Sequence, residues 1–169
     1  MSKRSVQTVI LLVDNEFGVL TRVTALVRRE GWNIKSLVVA ETMNEAVSRL
    51  TISVECINST LPHVLERLER LACVRSIAVF SADTHFSREL VMMTVEGSGA
   101  PQAGQAAAAA GARVLESAPG SITLEFTGAP EQAENLVSEL KLFGSVNVAR
   151  SGIVTLERPQ KEAANEEAG

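Results

Sequence analysis

Val9-Ile10-Leu11-Leu12-Val13-Asp14-Asn15-Glu16-Phe17-Gly18-Val19-Leu20-Thr21-Arg22-Val23 is the stretch that decides the fold. The run Val9 to Val13 is apolar at every position, which reads as a strand in mid-sheet with both faces covered. From Gly18 onward the spacing becomes helical: Leu20, Val23 and Val27 share one face, while Arg22, Arg28 and Arg29 point elsewhere. The polar turn Asp14 to Gly18 therefore delivers a buried strand onto a helix N-terminus. Backbone N–H groups left unpaired there, and the positive end of the helix dipole, suit a carboxylate or a phosphate. Gly18 has no Cβ and lets a ligand come close to the backbone. An ordinary strand-to-helix connection, capped by Asn15 or Asp14, fits the same residues.

Outward from the turn, the helix ends near Arg28-Arg29-Glu30-Gly31, where basic residues suit the dipole and Gly31 makes a natural stop. Asn33 to Ala40 is a second strand and Glu41 to Glu45 a polar loop. Val47 to Glu55 alternates as a third strand, with Leu50, Ile52 and Val54 facing one way and Arg49, Thr51 and Ser53 the other. Ser59 or Thr60 can cap a second helix whose stripe is Leu61, Val64, Leu65, Leu68 and Leu71, and Val74 to Phe80 is a fourth strand. The order β-α-β-β-α-β predicts an α+β, ferredoxin-like arrangement of two helices on one face of an antiparallel sheet. That arrangement puts the second strand at an edge. Ile34, Leu37, Val38 and Val39 with only Lys35 for charge make it an edge that needs a partner. The simplest partner is the same strand of a second copy, giving a two-fold homodimer through the second strand and first helix. Asn33 and Ile34 of one chain then approach the Asp14–Gly18 turn of the other. The seam would offer N–H groups to a carboxylate, amides and carbonyls to an ammonium, and apolar walls from Leu20 and Ile34.

Three segments carry a resemblance: Leu12 to Val23; Arg29-Glu30-Gly31-Trp32-Asn33-Ile34-Lys35-Ser36-Leu37; and Ser48-Arg49-Leu50-Thr51-Ile52. They are similar to an Asn-x-x-Gly turn, a Gly-aromatic-Asn-Ile segment and a Ser-Arg-hydrophobic-Thr-Ile strand of the ACT domain. More closely the chain resembles the regulatory (small) subunits of acetolactate synthase, also called acetohydroxyacid synthase. Thr84-His85-Phe86-Ser87-Arg88-Glu89-Leu90 and Val148-Ala149-Arg150-Ser151-Gly152 are similar to two further stretches of that family, so the resemblance spans about residues 5 to 158. It implies a non-catalytic subunit that activates the large catalytic subunit and confers feedback inhibition by valine or another branched-chain amino acid. It implies no cofactor in this chain, and thiamine diphosphate, magnesium and FAD in the large subunit. Asn15, Phe17, Gly18, Val19 and Leu20 would stand on the loop side of the effector site, with Asn33 and Ile34 on the partner strand. Asp14 stands where many members carry Glu, and Phe17 is larger than the residue often found before the glycine; it narrows the site or packs outside it. A free-standing tandem ACT-type sensor, acting on transcription or another enzyme, is the alternative.

The element order repeats in the second half. Ser81 to Ser87 reads as a polar connector and Leu90 to Val95 as a buried strand with Met92 and Met93 as core filler. Ala100 to Ala112 is a helix in which Gly104 costs about 1 kcal/mol against Ala. Arg113 to Glu116 and Ser121 to Thr127 are strands, and Gly128-Ala129-Pro130 opens a helix with Leu136, Val137, Leu140 and Leu142 apolar. Val146 to Ala149 is the last strand, leading to Ile153, Val154 and Leu156. The predicted division is an amino-acid-binding, dimerising ACT domain at 1–82, a second ferredoxin-like domain at 83–157, and a disordered acidic tail at 158–169. The second domain is expected to be the less stable, because a helix of methyl groups buries little apolar area.

The totals agree with two small domains: 169 residues, 46% hydrophobic, net charge −4. The negative balance speaks against nucleic acid as a partner. Cys56 and Cys73 form neither a disulfide framework nor a metal motif, and inert thiols in a reducing compartment are expected. With no signal peptide and no membrane span visible, the expected location is the cytoplasm. His63 reads as solvated and His85 as ion-paired or capping beside Arg88 and Glu89. No base-and-orienter pattern, phosphate-cradling glycine motif or zinc spacing is present, so no catalysis is expected. Arg49 and Arg88 are either anchors for a partner protein or plain surface charge.

Overall fold

A computed structural model of the chain describes residues 4–159. The first half contains β1 (Arg4–Asp14), α1 (Val19–Arg29), β2 (Asn33–Glu41), β3 (Val47–Ile57), α2 (Leu61–Glu69) and β4 (Val74–Val79). These form an antiparallel sheet in the order β2-β3-β1-β4, with β1 and β3 central and β2 at an edge. Leu11 stands opposite Leu50 and Val9 opposite Ile52. Those side chains, with Val13 and Val54, face Val23, Leu26 and Val27 of α1 and Val64 and Leu68 of α2.

The buried stripe of α1 is Val19, Val23, Leu26 and Val27, the i, i+4, i+7, i+8 set. Leu20 lies about 100° round the helix from Val19 and is 41% exposed, so it belongs to the surface rather than the core. At the start of α2, neither Ser59 nor Thr60 caps; Asn58–Thr60 is a 3₁₀ turn instead. The Thr60 hydroxyl donates to the Ile57 carbonyl at 2.8 Å and accepts from the Trp32 indole at 3.4 Å.

The helix-free face of this sheet is also buried. Ile10, Thr51 and Ser53 are only 4%, 2% and 2% exposed. The cover comes from the second half of the chain. Gly152 packs so closely on β2 that a Cβ there would lie 2.7 Å from Val38 Cγ2. Arg49 donates from Nη2 to Thr155 Oγ1 at 3.3 Å. Arg49 is thus an intramolecular clasp between the halves.

The second half contains β5 (His85–Glu96), α3 (Ala100–Ala109), β6 (Arg113–Ala118), β7 (Ser121–Gly128), α4 (Pro130–Leu140), β8 (Ser145–Arg150) and β9 (Val154–Glu157). Its sheet runs β6-β7-β5-β8, again ferredoxin-like, with β9 added beside the first four residues of β5. The connector is shorter than the sequence suggests, because His85, Phe86, Ser87 and Arg88 pair with Glu157, Leu156, Thr155 and Val154. His85 is neither ion-paired nor a cap. Its ring is buried beside Phe80, 5.9 Å between centroids, with Nδ1 2.8 Å from the Thr84 hydroxyl.

Ala103 and Ala107 of α3 are fully buried against this sheet. Gly104 has a packing reason: an added Cβ would meet Ile122 Cδ1 at 2.7 Å, so the glycine lets the helix approach. Met93 is in the core, but Met92 is 44% exposed because it alternates onto the helix-free face. Leu142 lies beyond the end of α4 and is 81% exposed. The predicted tail starts one residue too early or more. Arg158 is fixed, its amide donating to the Thr84 carbonyl at 2.8 Å and its Nε to the Ala82 carbonyl at 2.9 Å. Residues 160–169 lie outside the described residues.

Candidate functional site

The turn after β1 is built by side chains that hold it to its neighbours. Asp14 accepts from Arg75 Nε at 2.7 Å, and its amide donates to the Cys73 carbonyl at 2.9 Å. The Asn15 side chain knits the turn to the β2–β3 loop. Its Nδ2 donates to the Glu45 carbonyl at 2.9 Å and to Glu41 Oε1 at 3.1 Å, and its Oδ1 accepts from Ser48 Oγ at 2.9 Å. Both amide protons are thereby used, and one lone pair of Oδ1 stays available for a further donor. Neither Asp14 nor Asn15 caps α1, because both are committed sideways.

The cap position is Gly18, at φ 82° and ψ −4°, a left-handed conformation that glycine adopts without the Cβ penalty. Space around it is open, with nothing within 4 Å of where a Cβ would stand. The Val19 amide reaches back to the Glu16 carbonyl at 3.4 Å, and the Val19 side chain is buried in the core. Among the described residues, the amides of Phe17, Gly18, Leu20 and Thr21 have no protein partner. They form the unpaired row that a helix N-terminus presents. Phe17 is fully exposed and Leu20 is 41% exposed beside this row, so the turn is polar at its floor and apolar at its rim.

Asn33 and Ile34 are not near this turn within one chain. Asn33 stands opposite Glu55 on β3, whereas Asp14 stands opposite Val47. Those β3 positions are about 26 Å apart at ~3.3 Å per residue. Asn33 is exposed, and Ile34 is half-buried against the first core. Next to them on the same edge strand, Lys35 forms an ion pair with Glu55 of β3 at 3.0 Å. The Lys35 hydrogen bond holds the Glu55 carboxyl below its ordinary range.

The residue that sequence reasoning missed is Ser48. It is buried, on the helix-facing side of β3 in register with Val13. A serine at the same parity as Leu50 and Ile52 breaks the apolar alternation, which is the signal that could have found it. Glu41 and Arg75, which also brace the turn, carry no such signal on the two edge strands.

Nothing near the turn resembles a nucleophile with its base. Cys56 lies at the other end of β3, opposite Ser5, and burial pushes its thiol up, which disfavours the thiolate. Among the described residues no group of three His, Cys, Asp or Glu is placed to hold a metal ion, and no helix is long and apolar enough to cross a membrane. What the arrangement offers is a row of unpaired amides at the turn and, among the described residues, an unpaired strand edge at β2.

Comparison with known proteins divides the chain in the same way as the two sheets. The family described as AHAS small subunit-like ACT domain matches residues 9–76, and that described as small subunit of acetolactate synthase matches residues 88–159. An acetolactate synthase small subunit from Mycolicibacterium smegmatis is 36% identical over 154 residues, covering 89% of this chain and 90% of that one. Another from Aquifex aeolicus is 30% identical over 159 residues, covering 91% and 83%. A crystal structure of the small subunit from Thermotoga maritima superposes with a TM-score of 0.79 at 24% identity, covering 93% of this chain and 99% of that one. At that identity the likeness speaks for the fold.

Proposed function

The chain belongs to the family of acetolactate synthase small subunits, and on that premise we propose that it is the regulatory subunit that activates the large subunit and makes it sensitive to valine. In this reading the chemistry belongs to the large subunit, which would supply thiamine diphosphate, magnesium and FAD. This chain would supply a homodimer whose seam holds the effector.

The observation that carries the reading is the placement of the open β2 edge relative to the turn. Asn15 already bonds Glu41, the last residue of β2. If β2 pairs antiparallel with its own copy about a two-fold axis, Asn33 of each strand comes to the Glu41 end of the other. The partner's Asn33 and the partner's Ile34 then face the turn formed by Asn15, Phe17, Gly18, Val19 and Leu20. One copy alone holds half of the site, which is why its residues lie at opposite ends of the sheet.

The chemistry of the two halves matches an α-amino acid with an apolar side chain. Unpaired amides at the α1 N-terminus would take the carboxylate. The Asn15 carbonyl and an asparagine amide oxygen from the partner would take the ammonium, and Leu20 with the partner's Ile34 would wall the side chain. Valine can act only if it binds one arrangement of the complex better than another, with a coupling of about 1–3 kcal/mol that must be reciprocal.

Reconstitution tests this. Adding the chain to the separately purified large subunit should raise acetolactate formation, and valine should then lower it. Large subunit saturated with this chain yet unchanged in rate and in valine response would remove the assignment.

A further inference from the structure

β5 carries an apolar stripe on its solvent side. Phe86, Leu90 and Met92 alternate outward and are 40%, 36% and 44% exposed. Val154 and Leu156 of β9, opposite Arg88 and Phe86, extend the stripe sideways and are 49% and 67% exposed. Arg88 stands between Phe86 and Leu90 on that face, so the exposed apolar residues fall into two groups. Phe86 joins Val154 and Leu156 on the β5–β9 ribbon, and Leu90 and Met92 lie further along. Exposed apolar patches mark interaction sites.

The Phe86 end of the strip is cationic although the chain as a whole is acidic. One carboxylate, Glu131, lines the adjoining pocket that Arg158 also lines, and Glu125 stands opposite Met92 at the far end of the strip. A shallow groove at its Phe86 end is lined by Arg49, Phe86, Ser87, Arg88, Val154, Thr155 and Leu156, with no carboxylate among them. The Arg158 guanidinium lies 4.0 Å from the centre of the Phe86 ring. The whole chain carries a net −4. Arg49 comes from the first sheet and the rest of the groove from the β5–β9 ribbon, so an occupant touches both domains at the clasp between them.

The arginines decide between candidate occupants. A second copy docking through this face about a two-fold axis would bring the same arginine-bearing patch against itself, with no carboxylate in the groove to pair the charges. An acidic, apolar segment of a different protein meets no such penalty. We propose that the β5–β9 face, centred on Phe86 and Leu156 and ringed by Arg49, Arg88 and Arg158, is the docking surface for the large catalytic subunit, which would present an apolar segment flanked by carboxylates. The proposal rests on the regulatory-subunit reading and adds the surface to it. Because the groove spans both domains, docking there also senses how the second domain sits on β2, the strand that would form the effector seam.

The test is a titration of the large subunit against wild type, Leu156→Glu and Arg88→Glu by sedimentation velocity, at 50 and 500 mM salt, with valine calorimetry on each chain alone. Leu156 and Arg88 are exposed, so both variants should fold. Wild-type affinity should fall with salt, and each variant should lose roughly 30-fold or more, the scale of an interface hot spot. Valine binding to the isolated chains should stay unchanged. If wild type and both variants bind the large subunit equally, the docking surface lies elsewhere while the regulatory reading stands. If wild type does not bind it at all, both fall. If Leu156→Glu instead changes the oligomeric state of the isolated chain, the face is a contact between copies and the proposal is overturned.

Discussion

Gly18→Asp should weaken valine binding about 100-fold, while Gly18→Asn should leave it within a few fold. The pair of substitutions isolates charge from conformation. Gly18 sits at φ 82°, where Asn and Asp are the least strained of the residues that carry a Cβ. A side chain there meets open space rather than protein. Both variants therefore bear a similar small backbone strain, and only one adds a carboxylate next to the amides that would hold the carboxylate of the ligand. Two like charges about 4 Å apart repel by about 1 kcal/mol in water and about 4 kcal/mol at an effective dielectric constant near 20. A rim site lies between those limits, and about 2.7 kcal/mol corresponds to 100-fold at ~1.36 kcal/mol per decade. Isothermal titration of valine into the three proteins reads the difference. Equal affinities would take the turn out of the site.

Arg150→Met should destabilise the second domain strongly. Glu89 is 4% exposed, and its Oε1 accepts from Arg150 Nη1 at 2.7 Å. The same guanidinium reaches Glu134 Oε2 at 2.6 Å with Nη2. Removing it leaves a buried carboxylate without its cation, which costs about 3 kcal/mol. For a domain of this size, that lowers the melting temperature by roughly 15 °C. The Val9–Leu68 core and the Val91–Leu140 core share no residues, so two calorimetric transitions are expected. The second domain should melt first, because α3 contributes only alanine methyl groups to it. Arg150→Met should move the lower transition and spare the upper. Glu89→Gln combined with Arg150→Met should recover most of the loss, since the orphaned charge is then gone. No recovery would mean that the arginine acts through packing rather than through Glu89.

The sheet order of the first domain was legible because each signal agreed with the next. An uninterrupted apolar strand, an alternating strand and an unprotected edge strand leave few topologies. What the sequence could not convey was contact between distant segments. Thr51 and Ser53 read as a polar face, yet they are buried, because Gly152 and Thr155 arrive from a hundred residues away. The short strand Val154–Glu157 was invisible for the same reason: it exists only as the partner of His85–Arg88. His85 followed its ribbon into the interior, so its charged sequence neighbours proved no guide to its surroundings. At the turn, sequence identified the segment but not the roles within it. Asn15 was legible as a polar loop residue, while its service as a brace to Ser48 and Glu45 depends on β3 lying beside β1. Leu20 was grouped on one helix face with Val23 and Val27, whereas the buried stripe begins at Val19 and leaves Leu20 outside it.

A crystal structure of the chain grown with saturating valine tests the central claim most directly. The expected result is a two-fold pair joined along β2, with valine between the Asn15–Leu20 turn of one copy and the partner's Asn33. An empty junction, or copies that meet through any other face while valine binds elsewhere, would contradict it.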